Sequence, residues 1–265
     1  MAGELGESVV DVGGVGVVML EGGSGRPLLM LHDELGFPGW MRWNGDLAGS
    51  RRFVIPLQPG FGRTPQVQWF ESIRDVGSFY TRMVRESGLG TVDVVGFSAG
   101  AWIAAEMAAS DPGLFNRMVL VAPLGIRPEE GEIFDFLAVT MRRHIAATVS
   151  NQGAEELKEI YGGGISSERF EMFEAARAET SRLAWEPFMF DPTLPHRLDG
   201  VSDVETLIIW GDEDQIVPRG CVEGYKRAIK NSRLELIHGA GHRPEIEDRE
   251  RFVKVVSEFL ESPSA

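Results

Sequence analysis

Residues 92–100 read Val-Asp-Val-Val-Gly-Phe-Ser-Ala-Gly, and the architecture is most easily deduced from this stretch. An almost wholly apolar segment leads into the pattern G-x-S-x-G, and an alanine-rich segment of helical character follows. A serine in this pattern lies on a tight, strained turn, where flanking glycines avoid Cβ clashes and leave the hydroxyl exposed. The pattern also arises by chance in loops, but its place between a strand and a helix favours Ser98 as a nucleophile.

Other short apolar segments end at a turn in the same way. They are residues 28–31, 53–57, 118–121 and 206–210. Strands that are buried on both faces have this composition, which is typical of a parallel sheet covered by helices. The sequence therefore predicts an α/β protein with a mostly parallel central sheet and helices on both of its faces.

Additional strands and helices are predicted around this core. Residues 9–12 and 15–20 flank a Gly-Gly pair and predict a hairpin at the sheet edge, and residues 234–237 predict a last strand. Gly22-Gly23-Ser24-Gly25 lacks the lysine of a phosphate loop and predicts a second hairpin turn. Apolar residues recur at helical spacing over residues 76–84 and 252–260.

The alternation of strands and helices is interrupted by residues 126–204. This stretch has no clear strand and several amphipathic helical pieces. We expect a helical insertion, the cap, lying over a core made of residues 1–125 and 205–265.

Composition narrows the class of protein. The 265 residues include 26 Lys and Arg against 40 Asp and Glu, a formal charge of -14 that repels polyanions. Nucleic acid and anionic membranes are therefore not expected as partners, and no segment approaches the ~20 apolar residues that span a bilayer. The single cysteine, Cys221, cannot form an internal disulfide, and no metal site or cofactor is predicted. We expect a cytoplasmic protein whose oligomeric state, monomer or homo-oligomer, is left open.

A nucleophilic serine needs a base, and the base needs an orienting acid. Asp212, Glu213 and Asp214 follow the predicted strand at residues 206–210, and His238 and His242 flank Gly239-Ala240-Gly241 after the last strand. Ligands bind beyond the carboxyl ends of parallel strands, so these loops can converge on Ser98. His242 is the preferred base because it lies nearer the final helix. His144 and His196, within the insertion, are interpreted as surface or packing residues.

With these motifs the chain resembles the α/β-hydrolase fold family over nearly its whole length, in the order Ser, Asp, His. The family pattern G-x-x-D-x-x-V-P implies Asp214 as the acid, with Asp212 and Glu213 helping to hold the loop. Its G-H pattern before the last helix implies His242 as the base, and the insertion falls where the family carries its cap. The resemblance implies a serine hydrolase of a carboxylesterase-like kind, and an unperturbed imidazole predicts activity rising near pH 6 to 7.

The loop after residues 28–31 is where the family builds the second half of its oxyanion hole. Family members usually have His-Gly there, and this chain has His32-Asp33. The resemblance implies the backbone N–H groups of Ala99 and Glu34 as the two donors, with Leu35 as the competitor of Glu34. A carboxylate beside an oxyanion opposes it, so we expect the Glu34 side chain to face solvent; the alternative is a role in substrate selection or proton transfer.

The insertion is rich in aromatic and Met side chains, which line apolar ligand pockets but equally pack a lid onto a sheet. The candidate substrate-binding residues are Leu35, Phe97, Phe134, Trp185, Phe188 and Met189. Arg177 and Arg182 are candidates for binding a substrate carboxylate, although both could be charges on a solvated helix face.

Three functions are compatible with these features. The first is hydrolysis of an ester, lactone or similar activated carbonyl compound with an apolar body through an acyl-enzyme. The second is hydrolysis of a carbon-carbon bond in a vinylogous diketo acid, as in the family's hydrolases of ring-cleavage products. The third is a low-turnover protein that binds a small ligand on the same fold.

Overall fold

The structure of the protein is a computed structural model, and it is described for residues 5–161 and 167–262. Its eight strands are β1 (Gly6–Val12), β2 (Val15–Gly23), β3 (Arg26–Leu31), β4 (Arg51–Pro56), β5 (Val92–Phe97), β6 (Phe115–Val121), β7 (Glu205–Gly211) and β8 (Ser232–Ile237). They form one sheet in the order β1-β2-β4-β3-β5-β6-β7-β8. The pairs β1·β2 and β2·β4 are antiparallel and every other pair is parallel, which confirms the mostly parallel sheet.

The order of the first strands differs from the sequence expectation at one point. The link between β2 and β3 is not a hairpin turn, because β4 lies between these strands and pairs with both. Gly23 is paired with Arg52 of β4, so the chain leaves β2 and passes to the far side of β4. A hairpin would require β2 and β3 to be neighbours in the sheet, and β4 lies between them.

Helices cover both faces of the sheet, as predicted. They are α1 (Arg42–Leu47), α2 (Ile73–Glu86), α3 (Ala99–Ser110), α4 (Met141–Ala147), α5 (Glu155–Tyr161), α6 (Ser167–Ala184), α7 (Leu194–Leu198), α8 (Arg219–Ala228), α9 (Pro244–Glu247) and α10 (Arg249–Glu261). One buried cluster joins the sheet to α2, α3 and α8. The second cluster joins the other face to α1 and α10, where Trp43 packs edge-on against Phe53 and Phe252.

Helices α4 to α7 lie in the segment between β6 and β7. An isolated parallel bridge between Gly125 and Phe190 draws the two ends of this segment together. The division into a core and a cap at residues 126–204 stays a prediction, and we use the word cap for that segment.

Membrane-spanning helices and clusters of metal ligands are absent from the described residues. No helix within residues 5–161 and 167–262 is long and apolar enough to cross a bilayer. In the same part of the chain, no three or more His, Cys, Asp or Glu side chains are grouped so that they could hold a metal ion.

Candidate active site

Ser98 lies on a strained turn between β5 and α3. Its backbone has φ of 50° and ψ of -111°, a region that residues with a side chain rarely adopt. The turn is held because Ser98 N–H donates to Val121 O at 2.9 Å and Ser98 O accepts from Ala101 N–H at 3.1 Å. Sequence and structure therefore agree on the type of turn.

Two glycines allow the close packing of this turn. A Cβ on Gly96 would lie 2.6 Å from Cα of Ala101, inside α3. A Cβ on Gly100 would lie 2.3 Å from Leu31 O and 2.4 Å from His32 O. Gly100 is therefore the residue that lets the start of α3 approach the end of β3 and the loop that follows it.

Asp214 and His242 meet beyond the carboxyl ends of β7 and β8. His242 Nδ1 is 2.8 Å from Asp214 Oδ2, and both side chains are buried. The other carboxylate oxygen of Asp214 accepts from the N–H groups of Ile216 and Val217 at 2.7 and 3.0 Å. The acid is thus fixed by its own loop and can orient the imidazole.

The alternative acid and the alternative base pair with each other at the surface. His238 Nδ1 is 2.7 Å from Asp212 Oδ2, and the His238 side chain is 68% exposed. Gly239 N–H also donates to Asp212, at 2.7 Å. Asp212 therefore binds the loop of residues 238–242 on its solvent-exposed side.

Charges around His242 change its acidity. Burial alone lowers the pKa of His242, but the negative charge of Asp214, its hydrogen bond, and the charges of Glu34 and Asp33 together raise it to about 9. The imidazole is therefore mostly protonated at neutral pH in the resting protein. On this basis the activity is expected to rise at a higher pH than the range of 6 to 7 that an unperturbed histidine predicts.

The loop after β3 is fixed by two buried residues. His32 Nε2 accepts from Gln58 N–H at 3.1 Å, so the ring proton lies on Nδ1, which faces Asp33 O at 3.0 Å. Burial lowers the pKa of His32 to about 4, and the ring is neutral. Asp33 accepts from Leu35 N–H at 2.9 Å and from Arg243 at 2.8 Å. Asp33 occupies the position at which the resemblance implies a glycine.

These contacts distinguish the two candidate oxyanion donors of the loop. Leu35 N–H is occupied by the Asp33 carboxylate. Among the described residues, the N–H groups of Glu34 and Ala99 have no acceptor. Both are therefore able to donate to a ligand.

The Glu34 side chain does not face solvent. It is 1% exposed, and its Oε1 lies 3.2 Å from Nε2 of His144, a fully buried residue of α4. His144 is therefore neither a surface residue nor a packing residue alone, because its ring joins the cap to the loop after β3. The expectation that Glu34 faces solvent is therefore wrong, and no local pattern signals its contact with a residue 110 positions away.

Glu34 also lies beside the nucleophile. Burial raises the pKa of its carboxyl, but the hydrogen bond with His144, the charge of His242 and the proximity of the Ser98 hydroxyl outweigh this effect and lower it. Glu34 is therefore ionised at neutral pH. The Ser98 hydroxyl makes no hydrogen bond to a described residue, Glu34 and His242 included.

The candidate substrate-binding residues fall into different places. Leu35 lines a pocket of about 390 Å³ together with Phe37, Phe61, Met172 and other mostly apolar residues. Phe97 packs in the core against Trp43 and Phe252.

The candidates from the cap are also dispersed. Phe134 is half-buried, with its ring centre 6.3 Å from that of His144. Phe188 packs on Phe136, Met189 is fully buried, and Trp185 is 58% exposed.

The two candidate arginines differ in their partners. Arg182 bonds to both carboxylate oxygens of Glu179, at 2.6 and 3.0 Å, and to the backbone oxygen of Phe70. Arg177 is buried, donates to Val139 O at 3.2 Å and lies 3.6 Å from Glu174. Its Nε has no partner among the described residues. Of the two, only Arg177 keeps a buried donor free for a ligand.

Comparison with known proteins identifies the class. The model of the alpha/beta hydrolase family matches residues 28–255, and the chain belongs to that family. Membership of this family supports a hydrolase activity and does not specify the bond that is cleaved.

The individual proteins that the chain is similar to have more specific names. The chain is 29% identical to a 2-hydroxymuconate semialdehyde hydrolase of Pseudomonas sp. strain CF600, over 99% of this chain and 96% of that one. Its fold is similar to that of a 2-hydroxy-6-oxo-6-phenylhexa-2,4-dienoate hydrolase from Rhodococcus sp. strain RHA1, with a TM-score of 0.78, 19% identity and coverage of 98% and 100%. A thermophilic esterase is similar with a TM-score of 0.74, 21% identity and coverage of 97% and 98%. The two structural likenesses show the fold alone.

Proposed function

We propose that the chain is a serine hydrolase that uses Ser98, His242 and Asp214 as a catalytic triad. The observation that carries the proposal is the buried contact of 2.8 Å between His242 and Asp214, at the sheet edge where Ser98 is presented on its strained turn. Ser98 Oγ attacks a carbonyl carbon while His242 Nε2 takes its proton. The N–H groups of Ala99 and Glu34 donate to the oxyanion, each contributing about 3 kcal/mol. His242 returns the proton to the leaving group, and water releases the acyl group.

As substrate class we propose a vinylogous diketo acid, with hydrolysis of a carbon-carbon bond. A carbon leaving group departs only when its electron pair is delocalised, and the vinylogous carbonyl provides that. Relatives that are named as hydrolases of 2-hydroxymuconate semialdehyde and 2-hydroxy-6-oxo-2,4-heptadienoate support this class. The free buried Nε of Arg177 supports it too, because a substrate carboxylate needs a cation.

A second candidate is an ester or lactone with an apolar body. The feature that supports it is a mostly apolar pocket of about 390 Å³ that is lined by Leu35, the neighbour of Glu34 in sequence, and by no triad residue. Turnover of a dienoate ring-fission product and of p-nitrophenyl butyrate by one preparation distinguishes the two. We expect a kcat/KM at least 100-fold higher for the dienoate, and loss of both activities in a folded Ser98→Ala variant.

Two other results would contradict parts of the proposal. A higher kcat/KM for the ester would favour the second candidate. Tight binding of the dienoate with no product would favour the low-turnover binding protein and remove the triad function.

A further inference from the structure

Three polar atoms of the candidate site and of the Glu34–His144 contact are buried without partners. Glu34 Oε2, His144 Nδ1 and Ser98 Oγ make no hydrogen bond to any described residue. Buried polar atoms are nearly always paired, and an unpaired charged oxygen is especially costly. The triad mechanism gives the Glu34 carboxylate no task, so its position requires a separate explanation.

The charge of Glu34 raises a chemical problem. An ionised carboxylate near the acyl carbon opposes the negative oxyanion that forms during the reaction. The opposition disappears in any step in which the carboxylate takes up a proton as the oxyanion develops. Glu34 is therefore compatible with catalysis where it acts as the proton acceptor.

Deacylation supplies such a proton. In the free protein the Ser98 hydroxyl is one of the groups that lower the pKa of Glu34. Acylation replaces the hydrogen on Oγ with carbon, so that donor is lost. An attacking water then becomes the natural donor to Glu34 Oε2.

On the basis of the proposed triad function, we infer that Glu34 is a second catalytic base, which accepts the proton of the water that hydrolyses the acyl-Ser98 intermediate. The water oxygen bonds to the acyl carbon as one of its hydrogens passes to Glu34 Oε2. The bond from the acyl carbon to Ser98 Oγ then breaks, and Oγ takes the proton from Glu34. The acid product leaves, and Ser98 and Glu34 return to their starting states.

His144 is the positioning residue of this base. Its ring stacks on Phe136 with 4.8 Å between centres and 9° between planes, which fixes its orientation. Because Glu34 is ionised, His144 Nε2 donates to Oε1, which leaves Oε2 as the unpaired oxygen. Thr180 Oγ1 donates to Glu34 O at 3.3 Å, so the residue is held by both α4 and α6.

The test separates acylation from deacylation in stopped-flow reactions with p-nitrophenyl acetate. In Glu34→Gln we expect a burst of nearly one p-nitrophenolate per chain, followed by a steady rate that is about 10²- to 10⁴-fold below that of the parent. Intact mass should show one acetyl group, located on Ser98. The matched control is Glu106→Gln, which removes the charge of a buried glutamate whose oxygens are bonded to Arg197, and it should show no burst.

Variants of His144 test the positioning role. His144→Phe keeps a stacking ring but has no N–H donor, and it should show the burst. His144→Gln restores an N–H donor and should recover deacylation, which a purely structural role of His144 does not predict.

Several results would overturn the inference. A Glu34→Gln variant that melts like the parent but shows neither burst nor adduct would overturn it, as would equal slowing of acylation and deacylation. If the parent itself never acylates Ser98, the proposed triad function fails as well. If the parent acylates and turns over while Glu34→Gln behaves identically, only the role of Glu34 fails.

Discussion

Asp214 Oδ2 lies 2.8 Å from His242 Nδ1 in a buried pair, whereas two residues earlier Asp212 makes a similar contact of 2.7 Å with His238 at the surface. The chain thus has two Asp-His pairs on the same two loops. Solvent screens the exposed pair and weakens its interaction, while the buried pair is screened much less. Depth, which the spacing of the residues does not reveal, therefore distinguishes the candidate acid from its neighbour.

Amide substitutions of the two aspartates should have very different effects. We expect Asp214→Asn to lower kcat by about 10⁴-fold, because the amide no longer favours the tautomer in which Nδ1 carries the proton. Asp212→Asn, the matched control, should change kcat by only a few-fold. The measurement is steady-state turnover of a p-nitrophenyl ester, and a larger loss in Asp212→Asn would contradict the assignment.

The pH profile should rise later than that of an ordinary histidine. His242 accepts a proton only when neutral, and its pKa is raised to about 9, so kcat/KM for a neutral ester should increase from pH 7 to about pH 9. Glu34→Gln removes one of the charges that raise this pKa, so its rising limb should move to lower pH. A rising limb centred at pH 6 to 7 in the parent would contradict the prediction.

The same shift affects stability. The folded pKa of His242 lies above its ordinary value of 6.5, so the protonated ring stabilises the folded protein fully below pH 6.5. This contribution is lost as the pH rises through about 9. Denaturant unfolding between pH 6 and 9.5 should show the loss in the parent and not in His242→Gln.

A methyl group at position 100 should disturb the turn that carries Ser98. Gly100→Ala places a Cβ against the carbonyl oxygens of Leu31 and His32, so we expect about 1–3 kcal/mol lower stability and reduced kcat. Gly49→Ala is the control, because a Cβ there meets no atom within 4 Å. Thermal melts and turnover measure both effects, and equal behaviour of the two variants would contradict the close packing.

Substitutions of the two cap arginines should differ in their effects on acidic and uncharged substrates. Arg177→Met removes a charged donor, and we expect kcat/KM for a dienoate acid to fall about 10- to 100-fold while an uncharged ester is little affected. Arg182→Met, from the same helix, should alter both substrates alike because its charge is bound to Glu179. Equal losses on both substrates in Arg177→Met would exclude this arginine as the carboxylate ligand.

The sequence predicts the strands and the turn at Ser98 well, because strands buried on both faces and a glycine-flanked serine leave local patterns. It does not place β4 between β2 and β3, since strand order depends on tertiary packing. The choice of Asp214 over Asp212 rested on resemblance to a family rather than on spacing. The cytoplasmic location of the protein stays a prediction.

What the sequence could not predict is the environment of the candidate site. The contact between Glu34 and His144 joins a core loop to the cap, and no periodicity signals it. The acidity of His242 depends on charges contributed by three separate positions, Asp214, Glu34 and Asp33. The unusual run His32-Asp33-Glu34 departs from the pattern that the resemblance implies. It does not indicate that His144 is the residue that contacts Glu34.

The central claim is that His242 and Asp214 activate Ser98, and labelling with a fluorophosphonate followed by peptide mass mapping tests it most directly. We predict one adduct per chain, on Ser98, with no labelling of Ser98→Ala and labelling slowed at least 100-fold in His242→Gln. An adduct on another residue, or equal labelling rates in the parent and His242→Gln, would contradict the account.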